Sequence, residues 1–275
     1  MTINCKGQLI DISTPKVMGI LNVTPDSFHD GGQYKDESSI LKQVETMLME
    51  GATFIDIGGY SSRPGADFVS ENEELNRVIP VIELILKHYP ETLISIDTFR
   101  SGVARKSIEA GAALINDISA GHLDNNMIDT VGQLGIPYIM MHMKGNPKTM
   151  QQQTHYDDLI KDIVSYFAER IVKAHAAKIN DIIIDPGFGF AKTLEQNFEL
   201  LNHLELLQNV DKAILAGVSR KSMVYKTLNT TSENALNGTT ALHMVALQKG
   251  AKILRVHDVK EAVECVTLYN QLSKN

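Results

Sequence analysis

The sequence predicts an α/β fold, a (β/α)₈ barrel, because short apolar segments alternate with helical patterns along the chain. Eight short segments are rich in β-branched residues, and they lie at 17–23, 53–59, 93–98, 113–119, 137–143, 181–187, 213–219 and 253–258. Between them, apolar residues recur at i, i+3, i+4 and i+7, which is the spacing of amphipathic helices. Eight strand–helix units within 275 residues are the count and size expected of such a barrel.

An open doubly wound sheet is the competing architecture, since it gives the same alternation with fewer strands. No G-x-G-x-x-G motif follows the first predicted strand, and the count of eight favours the barrel. We expect a single domain over residues 1–275. Residues 1–14, which include QLIDI, are expected to form an extra strand or hairpin that caps the bottom of the barrel.

Composition narrows the class of protein. Hydrophobic residues make up 43% and charged residues 21%, as in ordinary globular proteins, and the net charge is −7. A nucleic-acid binder would show a basic excess. No apolar run approaches the roughly 20 residues that span a bilayer, and the N-terminus lacks the pattern of a signal peptide. With only two cysteines, no disulfide framework is expected. We therefore expect a cytoplasmic protein without nucleic-acid or membrane partners.

Polar residues follow or end all eight predicted strands. They are Asn22, Asp56, Asp97, Asn116 with Asp117, His142, Asp185, Ser219, and the pair Arg255 and His257. In (β/α)₈ barrels the chemistry lies at the C-terminal ends of the strands. The sequence therefore predicts a polar pocket at that end.

Several of these residues also have purely structural interpretations. Asp97 and Asp117 could cap the helices that follow them, a common role for aspartate at a strand–helix junction. Asp56 could hold a loop by hydrogen bonds. His142, which lies among methionines, is more typical of a buried, hydrogen-bonded histidine than of a metal ligand.

The predicted pocket has two sides of different chemistry. Oxygen acceptors suited to a ring with several N–H donors are Asp97, Asn116 and Asp185, and cations suited to phosphate are Arg63, Lys221, Arg255 and His257. The segment SRKS, at 219–222, opens a helix and offers Arg220 and Lys221 to an anion. Mg²⁺ would fit beside phosphates with one or two protein oxygens, and Asn22 is the candidate ligand.

The motifs that carry these residues resemble those of a known family. In order, they are MGILNVTPDSFHDGG, IDIGGYSSRPGA, ISIDTFR, INDISAG, MHMKGNP, IIIDPGFGFAKT, GVSRKS and LRVHDV, between Met18 and Val259. Together they closely resemble the dihydropteroate synthases of the pterin-binding barrel family. The resemblance implies a folate-pathway enzyme that is a sulfonamide target. It would condense 6-hydroxymethyl-7,8-dihydropterin diphosphate with 4-aminobenzoate, giving dihydropteroate and diphosphate.

The resemblance also implies roles for individual residues. The pterin would contact Asp97, Asn116, Met140, Asp185, Gly217 and Lys221. The diphosphate would contact Asn22, Ser62, Arg63, Arg255 and His257, with Mg²⁺ at Asn22. The 4-aminobenzoate would contact Phe28, Pro64, Phe190 and Ser222. Three positions depart from the usual family pattern, namely Ser62 for Thr, Tyr60 for Glu and His29 for Ser.

The expected mechanism needs no protein nucleophile, because diphosphate is a good leaving group. Diphosphate would depart first, assisted by the cations and Mg²⁺. Asp97, Asn116 and Asp185 would stabilise the positive charge left on the pterin, with Asn22 and Lys221 assisting. The alternatives are a lyase or aldolase barrel that forms a Schiff base at Lys221, and a non-catalytic pterin-binding paralogue. The family also suggests a homodimer.

Overall fold

The computed structural model describes residues 1–23, 33–60 and 69–272, with the backbone alone for 33–36. Its strands are β1 (Thr2–Cys5), β2 (Gln8–Asp11), β3 (Lys16–Asn22), β4 (Phe54–Gly58), β5 (Leu93–Asp97), β6 (Leu114–Asp117), β7 (Tyr138–Met141), β8 (Ile182–Asp185), β9 (Ala213–Ala216) and β10 (Ala251–Val256). Strands β3 to β10 close into a parallel barrel in chain order, with β10 beside β3. The predicted (β/α)₈ fold is confirmed.

Helices connect the barrel strands. They are α1 (Gln33–Met49), α2 (Glu71–His88), α3 (Ser101–Glu109), α4 (Met127–Leu134), α5 (Leu159–Ala176), α6 (Leu194–Asn202), α7 (Ser222–Thr227), α8 (Leu236–Gln248) and α9 (Val259–Leu272). Local signals set their ends: the Thr193 side chain caps α6 in a capping box, and Gly135 ends α4 in the left-handed region. Within the described residues, no helix has the length and apolar character required to cross a bilayer.

The N-terminal hairpin closes the bottom of the barrel, as the sequence predicts. Strands β1 and β2 pair antiparallel, and their residues Ile3, Cys5 and Ile10 join Ile12 in one buried cluster. The same cluster contains residues from the first half of the barrel strands, such as Phe54 and Leu93. The hairpin therefore removes the lower end of the barrel interior from water, which leaves the opposite end for a ligand.

Alternation along each strand determines which side chains reach the upper end of the barrel. In β5, Ile94 and Ile96 pack in the large cluster between barrel and helices, while Leu93 belongs to the bottom cluster. Because neighbouring side chains on a strand point to opposite faces, Ser95 and Asp97 face the barrel interior. A polar residue at the last inward position of a strand therefore lies at the mouth of the barrel.

Candidate active site

A cleft opens at the C-terminal end of the barrel, where the sequence predicts the pocket. Its lining consists of Asp97, Asn116, Ile118, Met141, Asp185, Phe190, Gly217, Lys221 and Arg255. Seven of these nine residues are ones that the sequence assigned to a ligand. The remaining two, Ile118 and Met141, supply apolar wall.

One side of the cleft, which we call the acceptor wall, consists of Asp97, Asn116 and Asp185. All three side chains are buried and belong to strands, with Asp97 and Asp185 as the last residues of β5 and β8. Asp97 pairs in register with Asn116 across the β5–β6 ladder. The backbone ladder therefore fixes the spacing of these oxygen acceptors before any side-chain contact is considered.

Arg255 links the acceptor wall to a carboxylate beneath it. Its Nε donates to Asp56 Oδ2 over 2.6 Å, and its Nη2 donates to Asp97 Oδ2 over 2.7 Å. Asn116 Nδ2 also donates to Asp56 Oδ2 over 3.1 Å. The structural role of Asp56 is thus to orient Arg255 and Asn116, rather than to hold a loop.

This network perturbs the protonation of its members. Burial raises the pKa of Asp97 to about 7, with Asp56 adding to the rise and Arg255 opposing it. Burial also pulls the pKa of Arg255 down, but the carboxylates of Asp56 and Asp97 outweigh burial and raise it above its ordinary value. Oδ1 of Asp97 and Oδ1 of Asp56 receive no hydrogen bond from the described residues. Asp97 and Asp56 thus each carry one buried oxygen acceptor that receives no donor from the described residues.

Asp185 and Lys221 face each other across the floor of the cleft. Asp185 Oδ1 accepts the Gly187 backbone N–H over 2.7 Å, while burial raises the pKa of its carboxyl group. Burial lowers the pKa of Lys221 to about 8, and Asp185 partly offsets this. Lys221 Nζ donates to Phe188 O over 2.5 Å and lies 5.0 Å from the centre of the Phe190 ring. The ammonium group of Lys221 thus lies over the face of the Phe190 ring.

Lys221 and Arg255 line the cleft, and His257 lies beside it next to Ser219; together we call these three residues the cation wall. His257 is exposed one residue beyond β10, and its Nδ1 lies 3.2 Å from Ser219 Oγ. Asn22, Ser222 and His257 are described by the structure but lie outside the cleft lining. Their assigned contacts with substrate stay predictions.

The structure corrects the prediction for Met140. Met140 packs in the cluster between barrel and helices, whereas Met141 lines the cleft. Met141 is in register with Asp185, and paired residues of a parallel ladder face the same side. The methionine that lines the cleft is therefore Met141.

Other expectations from strand ends also change. Asp117 does not cap a helix: its carboxylate accepts from Ser119 N, Gly121 N and Tyr138 Oη. Arg220 does not face the cleft, because its guanidinium forms a two-point salt bridge with the carboxylate of Asp258. The anion site proposed for SRKS therefore retains Lys221 alone as its cation.

Four predicted site residues lie outside the described residues, namely Phe28, Ser62, Arg63 and Pro64. Of the three departures from the family pattern, His29 and Ser62 also lie outside the described residues. Tyr60 is described, and its ring packs edge-on against Phe99 at 5.2 Å between centroids.

Sequence reasoning missed Lys192, a buried lysine of the DPGFGFAKT motif. Its Nζ donates to Gly187 O at 3.0 Å and Phe190 O at 3.1 Å, and lies 3.1 Å from His142 Nδ1. Burial, then Lys192, holds the pKa of His142 well below its usual range, so the neutral ring accepts from the lysine. His142 is a buried, hydrogen-bonded histidine, as its alternative interpretation proposed. A lysine that directly follows the apolar, glycine-containing segment PGFGFA was the signal for Lys192.

The residues present fit Mg²⁺ only as a partner of bound phosphate. Within residues 1–23, 33–60 and 69–272, no group of three or more His, Cys, Asp or Glu side chains could hold a metal by itself. Asn22 Oδ1 lies at the barrel mouth, where a methyl group on Gly58 would be 3.8 Å from it and 3.7 Å from Asp97 Cβ. One amide oxygen would suit Mg²⁺ if a phosphate bound beside it, because Mg²⁺ usually keeps water and phosphate ligands.

Comparison with known proteins agrees with this geometry. The chain matches the family described as pterin binding enzyme over residues 18–257. The dihydropteroate synthase of Escherichia coli (strain K12) is 44% identical over 97% of this chain and 94% of that protein. The dihydropteroate synthase of Haemophilus influenzae is 43% identical over 94% of each chain.

Solved structures are similar along the whole chain. The Yersinia pestis dihydropteroate synthase in a sulfonamide drug complex has a TM-score of 0.93 and 44% identity, covering 100% of both chains. The Xanthomonas albilineans dihydropteroate synthase with 4-aminobenzoic acid has a TM-score of 0.92 and 39% identity, covering 100% of this chain and 98% of that one. The synthase function predicted from the motifs is confirmed by these relatives. The chain belongs to the pterin binding enzyme family, on the branch of the dihydropteroate synthases.

Proposed function

We propose that this protein is a transferase that condenses 6-hydroxymethyl-7,8-dihydropterin diphosphate with 4-aminobenzoate, releasing 7,8-dihydropteroate and diphosphate. The observation that carries the proposal is a single cleft lined by buried oxygen acceptors, including an unpartnered Oδ1 of Asp97, and by the cations Lys221 and Arg255. A pterin ring carries N–H donors and the leaving group carries negative charge. The two walls are complementary to the two ends of that substrate.

In this proposal, the pterin ring donates its N–H groups to Asp97, Asn116 and Asp185. Lys221 contacts the ring from the opposite side, and the missing side chain at Gly217 leaves room beside Lys221 and Asp185. Because the carboxylates are buried, their interaction with a positive ring is stronger than it would be in water. The acceptor wall would therefore stabilise the cation that forms as the C–O bond to diphosphate breaks.

The diphosphate would lie toward Asn22, Arg255 and His257, together with Ser62 and Arg63 from outside the described residues. Arg255 Nη2 is bonded to Asp97, so ring binding at Asp97 would share or displace that contact. Mg²⁺, held by Asn22 and the phosphates, would neutralise charge on the leaving group. Departure of diphosphate first then needs no nucleophile from the protein.

The 4-aminobenzoate would bind beside Phe190 and Ser222, with Phe28 and Pro64 from outside the described residues. The Xanthomonas albilineans relative was solved with 4-aminobenzoic acid and the Yersinia pestis relative with a sulfonamide drug. We propose that both kinds of molecule bind this protein at the same aromatic wall. The amine would then attack the methylene carbon of the pterin and lose its proton to solvent.

The proposal is tested by measuring diphosphate release from dihydropterin-methyl diphosphate with Mg²⁺, with and without 4-aminobenzoate. We expect release coupled to 4-aminobenzoate and equal in amount to the dihydropteroate formed. Binding of the pterin without turnover would instead support the non-catalytic paralogue. Inactivation by borohydride with a carbonyl substrate, together with absent diphosphate release, would support a Schiff base at Lys221.

We propose further that the protein is a homodimer that acts in the cytoplasm. Leu268 and Leu272 on α9 are 61% and 63% exposed, so this helix presents apolar surface. Sedimentation velocity tests the assembly, with Leu268→Glu and Leu272→Glu expected to shift a dimer toward the monomer. A wild-type protein that sediments as a monomer at micromolar concentration would overturn it.

A further inference from the structure

The backbone ladder between β9 and β10 ends before the site begins. The last register pair is Ala216 with Leu254. Lys221 and His257, which belong to the cation wall, lie five and three residues farther along. Strand pairing therefore does not set the distance between these two cations, and other contacts must do so.

Arg220 and Asp258 join the two segments beyond the ladder. Arg220 Nε donates to Asp258 Oδ2 over 2.8 Å, and Nη2 donates to Oδ1 over 2.7 Å. The side chains are only 23% and 18% exposed. A two-point, partly buried fork fixes orientation as well as distance, unlike a flexible pair on the surface.

The remaining guanidinium nitrogen and the backbone N–H of Arg220 also donate hydrogen bonds. Its Nη1 donates to Ser232 O at 2.9 Å and Glu233 O at 2.5 Å, and its backbone N–H donates to Thr239 Oγ1 at 3.0 Å. Its φ of 52° lies in the left-handed region, which is unfavourable for a residue with a side chain. Five hydrogen bonds hold Arg220 in this unfavourable conformation, which indicates that the shape of the turn is needed for a contact or a function nearby.

The position of this turn indicates what it serves. Arg220 directly precedes Lys221, and Asp258 directly follows His257. One residue earlier on each side, Ser219 Oγ accepts the His257 backbone N–H over 3.2 Å. Two adjacent cross-links thus tie the segments, while Lys221 turns inward to Phe188 O and Arg220 turns outward.

We propose that Arg220 and Asp258 are positioning residues that set the separation of Lys221 and His257, and thereby the grip on the diphosphate end of the substrate. The inference rests on the proposed function, because it assigns His257 to diphosphate. Neither residue of the pair touches the substrate. The pterin ring is bound mainly by strands β5, β6 and β8, and its cation Lys221 is also held by Phe188 O. Binding of the ring should therefore depend on the pair less than binding of the diphosphate, which uses His257.

The test compares the variants Arg220→Lys and Asp258→Asn with wild type. We expect KM for the pterin diphosphate to rise about tenfold, since a displacement of ~1 Å can cost up to ~100-fold. The Kd for 6-hydroxymethyl-7,8-dihydropterin, which lacks the diphosphate, should rise clearly less than this KM, because Lys221 keeps its contact with Phe188 O. The double variant should be no worse than either single one, because each breaks the same fork.

The matched control is Glu205→Gln, which breaks the Lys249–Glu205 pair remote from the cleft. It should leave both constants unchanged. Equal weakening of both pterins, or no change in KM, would overturn the proposal and leave the pair a purely structural contact. Circular dichroism shows whether each variant is folded. If Arg220→Lys is unfolded, the measurements on Asp258→Asn alone test the proposal.

Binding of inorganic diphosphate separates this inference from the proposed function. Calorimetry with diphosphate and Mg²⁺ should show weaker binding in both variants than in wild type, even if no synthase turnover is detected. Absence of turnover in the wild type would overturn the proposed function. Unchanged diphosphate affinity in the variants would overturn the positioning role.

Discussion

The acceptor wall and the cation wall belong to one site, yet they are built in different ways. Asp97, Asn116 and Asp185 are strand residues, and barrel pairing fixes their spacing. Lys221 and His257 lie beyond the strand ends and are fixed by side-chain contacts instead. The first wall is therefore as rigid as the barrel, whereas the second depends on individual hydrogen bonds.

Arg255 is the residue in which the two walls meet. It belongs to a strand, β10, but its guanidinium is bonded to Asp56 and Asp97. In the protein without a ligand, the guanidinium of Arg255 thus offsets part of the negative charge of the buried carboxylates of Asp56 and Asp97. The comparison predicts that substitutions in the acceptor wall lower the turnover rate. Substitutions behind the two walls should instead lower the stability of the protein or weaken the binding of one of the two substrates.

The largest effect is expected for Asp185→Asn and Asp97→Asn. Each substitution keeps the shape of the side chain and removes a buried negative charge that would stabilise the pterin cation. We expect turnover to fall by about 100-fold or more, as for loss of one preorganised electrostatic group. Single-turnover kinetics of dihydropteroate formation measures it.

The control for these variants is Asp211→Asn, in the turn before β9 at the opposite end of the barrel. Asp211 has a φ of 53°, a conformation that asparagine also tolerates. Its turnover should equal that of wild type. Full activity in both Asp97→Asn and Asp185→Asn would contradict the role of the acceptor wall.

Asp56→Asn tests what lies beneath the acceptor wall. Asp56 is fully buried and accepts from Arg255 and Asn116. Removing its charge leaves a guanidinium with one carboxylate partner fewer, and we expect the free energy of unfolding to fall by about 3 kcal/mol. Urea denaturation at pH 7 measures the change.

Glu109→Gln provides the comparison for Asp56→Asn, because it breaks the exposed Lys106–Glu109 pair, in which the side chains are 62% and 51% exposed. An exposed pair of this kind contributes less than about 1 kcal/mol. Equal urea midpoints for Asp56→Asn and wild type would show that Asp97 alone compensates Arg255.

The difference between the walls also explains what the sequence could predict. Eight alternating units indicate the barrel, and the position of Asp97 or Asp185 at the end of an apolar strand indicates a place at its mouth. These conclusions need only local periodicity and the rule for barrel active sites. Met140 shows the limit of this reasoning, because an error of one residue along a strand moves a side chain to the opposite face.

Partners across long stretches of sequence could not be predicted in the same way. Arg255 and Asp56 are 199 residues apart, and Arg220 and Asp258 are 38 apart. No local pattern distinguishes an arginine that binds an anion from one that binds a carboxylate of its own chain. Lys192 was missed for a different reason, because Gly187 and Phe190 are only five and two residues away and their carbonyls reach its Nζ only through the folded shape of the loop after β8.

A smaller effect is expected behind the cation wall, at His243 on α8. His243 is 1% exposed, and neither ring nitrogen has a hydrogen-bond partner among the described residues. Burial lowers the pKa of His243 to about 4 from 6.5, with Asp258 opposing the shift. The unfolded chain therefore binds this proton first as the pH falls, and the folded state loses stability between pH 6.5 and 4.

His243→Leu should remove this pH dependence. Between pH 7 and pH 5, we expect the variant to lose about 2 kcal/mol less stability than wild type, from the linkage of the two pKa values. Urea denaturation at the two pH values measures it, and His175→Gln, at an exposed position of α5, is the control. Parallel pH profiles for His243→Leu and wild type would show that His243 does not titrate on unfolding.

The smallest effect is expected for Lys192→Met, which compares the two lysines that flank the loop after β8. Lys192 contacts Gly187 O, Phe190 O and His142, whereas Lys221 reaches the same loop at Phe188 O from the cleft. Burial lowers the pKa of Lys192 to about 7, although Asp185 opposes this. Methionine keeps the length of the side chain but leaves these carbonyls without their donor, so the backbone at Phe190 should shift.

Since Phe190 is the aromatic wall proposed for 4-aminobenzoate, we expect KM for that substrate to rise about fivefold, close to 1 kcal/mol. The Kd for the pterin should stay within about twofold, because the acceptor wall lies on strands rather than on this loop. Steady-state kinetics with each substrate varied in turn measures both, and Lys173→Met, at an exposed i,i+4 pair with Glu169, is the control. A larger effect on pterin than on 4-aminobenzoate would mean that the loop supports the acceptor wall through Gly187 and Asp185, and that the two walls are less independent than their construction indicates.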